Sequence, residues 1–185
     1  FITSLFDGWT YEEMMDDVAR LGIECVEVAC WPKGKALRRY AGVTHIDLNG
    51  LTEEKMKYYV DYAASKGVEI SSLAYYPNPL DGDEEAAKVA VDHIMALIDV
   101  SAKMGVNMVT TFIGKDKTKS VEENLEKYVK VWTPIVRHAE EMGVRIGIEN
   151  CPMYYTKDEW PGGNNLASTP YIWKKMFELI PSKNL

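Results

Sequence analysis

The run Val144-Arg-Ile-Gly-Ile-Glu-Asn-Cys-Pro-Met153 ends a short apolar stretch in a carboxylate and an amide, just before a proline. A buried strand excludes an unpaired charge because desolvating it is costly. Glu149 therefore either holds an ion pair or stands where a strand end meets chemistry. A carboxylate in that place suits a hard divalent cation, Mg²⁺ or Mn²⁺, or zinc where histidines join it. Asn150 alternates away from Glu149 along the strand and is a second candidate for contact with a bound molecule.

Other side chains of chemical interest sit beside long inter-element segments. Two roles are open to His45: bracing its loop, or acting as a neutral imidazole that bonds a hydroxyl or passes a proton. Lys33, Lys35, Arg38 and Arg39 make one loop basic within an acidic chain. That fits solvated charges or ion pairs, and equally the attraction of a phosphate or carboxylate. Trp31, Tyr75 and Trp160 fall at or just past strand ends, where an aromatic face suits stacking on a sugar ring or packing beneath a loop. His93 and His138 fall within helical patterns and read as structural. Gly162 and Gly163 read as a turn in a loop covering the strand ends.

The elements that must position these residues follow a period. Leu21-Gly22-Ile23, Lys66-Gly67-Val68, Met104-Gly105-Val106 and Met142-Gly143-Val144 place glycines 45, 38 and 38 residues apart. Each has the pattern of a helix-terminating glycine followed at once by a strand. Thr10 with Glu13 and Ser120 with Glu123 form capping boxes. Thr52 and Asp83 precede paired glutamates that favour a helix start, and Thr169-Pro170 offers a cap with proline at the first helical position. The spacing predicts strands over 1–5, 25–30, 68–75, 107–113 and 144–150, and helices over 10–21, 52–66, 83–104, 120–142 and 170–179. Strand and helix alternate, which implies parallel βαβ units in a single domain over 1–185. The long strand-to-helix loops, 31–51 and 151–169, gather at the strand C-termini, where such folds place their sites.

A doubly wound nucleotide fold would need a glycine-rich phosphate loop after the first strand, and Ser4-Leu5-Phe6-Asp7-Gly8-Trp9 cannot make one. The strands also alternate: Val26 and Val28 oppose Glu27, Ile70 opposes Glu69, and Ile146 opposes Arg145. Branched residues packed on helices and polar residues turned into a lumen favour an α/β (β/α)8 TIM barrel. Five strands are too few, since a whole barrel takes about 250 residues. The sequence is therefore expected to be the N-terminal part of a longer polypeptide, truncated after about five βα units, with Ile180–Leu185 leading into a further strand.

Composition sets limits. With 46% hydrophobic and 26% charged residues the sequence is that of an ordinary globular protein. A net charge of −7 argues against a nucleic-acid partner. No long apolar run predicts a membrane span, and no basic-plus-apolar leader predicts secretion. Cys25, Cys30 and Cys151 read as reduced thiols of a cytoplasmic protein, the first two as small buried side chains. Exposed sheet edges would invite a homo-oligomer.

"IGIENCPM", with "DEWPGGNNLASTPYIWKKMFELIPS" after it and "VEVACWPKGKALRRYAGVTHIDL" before it, resembles the xylose isomerase-like barrels known as sugar phosphate isomerases/epimerases. The resemblance spans the chain. It implies a divalent-metal-dependent (Mn²⁺, Mg²⁺ or Zn²⁺) isomerase or epimerase of a sugar or sugar phosphate, moving a proton next to a carbonyl. Glu149 matches the first of about four metal ligands and is the expected catalytic residue. The other ligands, an Asp, a His and a Glu on later strands, are expected beyond Leu185. His45, Trp31, Lys35, Tyr75, Asn150 and Trp160 are the expected substrate contacts. Dehydratases or lyases of keto-sugars and inositol derivatives share the scaffold, and a non-catalytic sugar- or partner-binding barrel is a further alternative. The related abasic-site endonucleases need histidine clusters where this sequence has Trp31 and Tyr75.

Overall fold

A computed structural model describes residues 1–34, 41–152 and 163–185. In chain order its elements are α1 (Tyr11–Arg20), β1 (Cys25–Ala29), α2 (Glu53–Ser65), β2 (Glu69–Ala74), α3 (Glu84–Met104), β3 (Met108–Thr111), α4 (Val121–Met142), β4 (Arg145–Ile148) and α5 (Pro170–Leu179). The strands form one parallel sheet in the order β1-β2-β3-β4. Chain-order pairing has no point where the winding reverses, so the doubly wound alternative is absent from this sheet.

Local chemistry sets the element bounds. Both expected capping boxes form, with Thr10 Oγ1 accepting from the Glu13 amide at 3.1 Å and Ser120 Oγ from the Glu123 amide at 3.1 Å. Asp83 Oδ1 accepts from the amides of Glu85 and Ala86, and Thr52 and Thr169 cap α2 and α5. The four periodic glycines have φ between 67° and 74°, the left-handed conformation that ends each helix before its strand.

The first expected strand, 1–5, is not a strand. Ile2 makes one parallel bridge to Glu27, and Thr3–Leu5 then turns into a 3-10 helix. The cause is a side chain. The Glu27 amide donates to the Phe1 carbonyl at 2.7 Å, but the next ladder donor, Ala29, bonds Thr3 Oγ1 at 2.8 Å instead of a carbonyl. With its hydroxyl standing in for the backbone, the chain leaves the ladder. The strand expected to carry the fifth position is therefore β4.

The chain divides into two compact units, Phe1–Tyr75 with Ala96–Val109, and Tyr76–Met95 with Thr110–Leu185. In the first, Met14, Met15 and Val18 of α1, Val26 and Val28 of β1 and Leu73 of β2 are fully buried. β1 pairs with β2 through a bulge: Val26 faces Ile70 but Glu27 faces Ser72, and Ser71 Oγ bonds the Val26 carbonyl. In the second unit Tyr128, Trp132, Ile135 and Val136 of α4 are fully buried, with Trp132 Nε1 donating to the Ile113 carbonyl at 3.0 Å. The expected alternation is present, with Val26, Val28 and Ile146 buried and Glu69 and Arg145 exposed. Residues after α5 run along β4, where the Ile146 amide donates to the Asn184 carbonyl. Of the cysteines, all are free thiols and Cys30 is buried, but Cys25 is exposed at the start of β1 rather than packed inside.

Candidate active site

Glu149 directly follows β4, and its side chain is exposed. Its backbone is held on both sides. The Glu149 amide donates to the Thr111 carbonyl of β3 at 3.0 Å, and its carbonyl accepts from Asn165 Nδ2 at 3.2 Å. The next three residues are held by the same returning segment. Asn150 Oδ1 accepts from Trp173 Nε1 at 3.2 Å, the Cys151 carbonyl from Asn165 Nδ2 at 2.8 Å, and the Pro152 carbonyl from the Asn164 amide at 2.9 Å.

The sequence alone does not single out Asn165 or Asn164. Asn165 is 1% exposed and also accepts from the Gly114 amide at 3.2 Å, so one amide ties the segment after β3 to the end of β4. The available signal was the glycine two residues earlier. Gly163 has φ +62°, and a Cβ there would lie 1.8 Å from the Pro152 carbonyl oxygen. Only glycine lets the returning chain approach so closely.

The loops before and after β3 are braced in the same unit. Asn78 Oδ1 accepts from the Lys115 amide at 2.8 Å and its Nδ2 donates to the Lys115 carbonyl at 2.9 Å. A Cβ on Gly114 (φ +81°) would meet Asn78 Oδ1 at 2.2 Å. Asp116 is held below the usual carboxylate range by the hydroxyl and amide of Thr118.

In the other unit, Trp31 and Tyr75 follow the C-termini of β1 and β2, each 7% exposed, and meet edge to face with centroids 6.0 Å apart. Burial pushes the Tyr75 hydroxyl up to about 12, so it stays protonated at neutral pH. His45 is 5% exposed, with its amide bonded to the Ala29 carbonyl and Nδ1 3.0 Å from Thr3 Oγ1. Thr3 Oγ1 also accepts from the Ala29 amide, and with its second lone pair and its own hydrogen it can either accept from Nδ1–H or donate to a bare Nδ1. Among the described residues Nε2 has no hydrogen-bond partner. Burial holds the ring below the ordinary histidine range, opposed by the Phe6 carbonyl and Asp7.

Of the basic loop, Lys33 is exposed and pairs with Asp47 at 3.1 Å. Lys35, Arg38, Arg39, Trp160 and Gly162 lie outside the described residues. His93 and His138 are half-buried on α3 and α4, as their helical setting implied. Grooves of ≈ 510 Å³ between α2 and α3 and between α4 and α5 take in none of the candidate residues. Among the described residues no three His, Cys, Asp or Glu side chains come together as a metal cluster, so Glu149 stands as a single potential ligand.

The sequence profile of the xylose isomerase-like TIM barrel matches residues 15–185. The chain belongs to that family. Among curated proteins none matches the sequence. Solved structures share the barrel at low identity. A D-tagatose 3-epimerase-like protein is 22% identical with a TM-score of 0.66, covering 95% of this chain and 61% of its own. A probable 3-DHS dehydratase, AsbF of Bacillus anthracis, is 15% identical with a TM-score of 0.69, covering 100% and 60%. The IOLI protein with a bound zinc atom is 14% identical with a TM-score of 0.67, covering 100% and 59%. This chain thus spans less than two thirds of the length of each. No described helix is long and apolar enough to cross a membrane.

Proposed function

We propose that this barrel is a divalent-metal-dependent isomerase or epimerase of a sugar or sugar phosphate, with Glu149 as a metal ligand and proton-transfer group. One observation carries the reading: an exposed carboxylate at the C-terminal end of a parallel barrel strand, on a backbone fixed at both amide and carbonyl. Barrel enzymes draw catalytic groups from that end of the strands. An oxygen ligand of that kind fits Mn²⁺, Mg²⁺ or Zn²⁺, and Glu149 would hold the ion with ligands from elsewhere in the protein. Such an ion, when bound, polarises a carbonyl or hydroxyl and eases loss of the proton on the neighbouring carbon. The two epimerase- and zinc-related neighbours support the same reading at the level of the superfamily.

His45 fits a supporting role. Its buried Nε2, which has no partner among the described residues, would meet a ligand oxygen or hydroxyl, and burial favours the neutral ring, so it acts as a neutral hydrogen-bonding group rather than a cation. Trp31, Tyr75, Asn150, Lys35 and Trp160 are the further substrate contacts that the family resemblance implies. A dehydratase or lyase is the second reading, favoured by the AsbF neighbour, and it begins with the same proton abstraction.

The test is Mn²⁺ binding followed by electron paramagnetic resonance, with solvent deuterium uptake at the carbon beside the carbonyl of candidate ketoses. Glu149→Gln should abolish uptake and weaken Mn²⁺ binding at least tenfold. A Glu149→Gln protein that binds Mn²⁺ as tightly as the wild type would refute the assignment. Deuterium uptake accompanied by loss of water, rather than epimer formation, would select the dehydratase reading.

A further inference from the structure

We infer that Asn165 is a positioning residue that presets the main chain carrying the Glu149 carboxylate, and that residues 163–173 form a clasp on the end of β4. The role rests on the metal-ligand reading of Glu149. Four consecutive residues, 149 to 152, each have a polar acceptor engaged by this segment: Glu149 and Cys151 carbonyls by Asn165, Asn150 Oδ1 by Trp173, and the Pro152 carbonyl by Asn164. On the amino side the Glu149 amide is tied to Thr111. The main chain of Glu149 thus has neither donor nor acceptor left to relax, while its carboxylate remains exposed. That arrangement fixes the main chain from which the carboxylate would reach an ion, so that only the side-chain torsions are left to order.

The residue type follows from the partners. Position 165 must offer an acceptor to the Gly114 amide and donors to two carbonyls, all from one short, buried side chain. Asparagine does all three in a single orientation; turned over, it would set oxygen against both carbonyls. Aspartate has the same shape and no donors. Glutamine is a methylene too long. Gly163 completes the clasp, because a side chain there would collide with the Pro152 carbonyl.

A loop brace alone would lower stability without touching metal affinity, and Asn124 supplies the control. It is a comparably buried asparagine of the same unit, bonded to the Asp116 amide and to the Asp116, Lys119 and Ser120 carbonyls. The experiment measures Mn²⁺ dissociation constants and melting curves for the full natural chain and for Asn165→Asp, Asn165→Ala, Asn124→Ala and Glu149→Gln. The expected result is a tenfold or greater rise in Kd for both Asn165 variants. Asn124→Ala should stay within twofold of the wild type even where its melting temperature falls as far. Asn165 variants that bind within twofold, while Glu149→Gln loses the metal, overturn the positioning role and leave the metal reading intact. Glu149→Gln binding like the wild type removes the metal reading and the positioning role with it. Should neither Asn165 variant melt cooperatively, Trp173→Phe decides, since it removes only the indole donor to Asn150. A threefold or greater rise in Kd supports the clasp, and an unchanged Kd overturns it.

Discussion

Replacing Gly163 by alanine separates backbone strain from steric collision, because a matched control lies in the same unit. Gly143 and Gly163 have nearly equal dihedrals, φ +67° and +62°. A Cβ on Gly143 meets nothing within 4 Å, so Gly143→Ala costs only the left-handed conformation. That is roughly 1–2 kcal/mol, partly offset by roughly 0.4–1 kcal/mol from a stiffer unfolded chain. The net is about 1 kcal/mol. Gly163→Ala starts from the same figure and adds a Cβ 1.8 Å from the Pro152 carbonyl oxygen and 2.7 Å from its carbon. Relief moves the chain by more than an ångström, which breaks the Asn164–Pro152 bond and withdraws Asn165 from its three partners. Leaving those buried groups unpaired costs about 1–3 kcal/mol, and the lost bonds add about 1 kcal/mol more. The total for Gly163→Ala is therefore about 3–5 kcal/mol. Urea unfolding followed by both circular dichroism and tryptophan fluorescence measures the two variants, with coincident transitions confirming cooperativity. If the two differ by less than about 1 kcal/mol, the segment yields freely and the close packing against Pro152 holds nothing in place.

Two further outcomes concern the other unit. The His45 ring resists protonation in the fold, so the unfolded chain takes up a proton first as pH falls below about 6.5. The stability this site contributes is complete above that pH and declines below it, by at most about 1.4 kcal/mol per pH unit. Melting temperatures between pH 7.5 and 5.5 should fall more steeply for the wild type than for His45→Asn, and equal slopes would refute the buried neutral ring. Thr3→Val keeps the shape but strips one hydroxyl from both the Ala29 amide and His45 Nδ1. Two buried groups losing their partner should cost about 2–4 kcal/mol in urea unfolding, and a change below about 1 kcal/mol would mean that other groups satisfy them.

What was legible in the sequence is what neighbours in the chain decide. Capping boxes at Thr10 and Ser120 involve residues three apart, and the periodic glycines announce left-handed helix ends, so most element bounds agree with expectation to within a residue or two. The barrel class followed from the same punctuation and from strand alternation. Errors and omissions arose where a side chain reaches across the chain. Thr3 takes a ladder donor from a residue 26 positions away and ends the strand expected over 1–5. Asn165 meets Gly114 at a separation of 51 and Glu149 at 16, which no local pattern reveals. The sequence shows Trp31 and Tyr75 only as separate strand-end aromatics, and their burial against each other is a property of the packed pair.

His45 and Glu149 have been prepared in the same way by different means. Each has its backbone amide bonded to a carbonyl, Ala29 for His45 and Thr111 for Glu149. Each then has a second point fixed, Nδ1 by the Thr3 hydroxyl in one case and the carbonyl by Asn165 in the other. Beyond those fixed points lie Nε2 on His45, without a partner among the described residues, and on Glu149 an exposed side chain whose departure from the main chain is set. Preorganisation of this kind matters because a side chain that must stop moving when a ligand arrives loses rotamer freedom at that moment, roughly 0.5–1.5 kcal/mol each. Here hydrogen bonds from Thr3 and Asn165 hold the His45 ring and the Glu149 main chain in the fold, and only the exposed Glu149 side chain is left to be ordered. Hydrogen bonds are directional and packing is not, so substitutions that preserve volume but not donor pattern, Thr3→Val and Asn165→Asp, are the ones that should damage these two positions most.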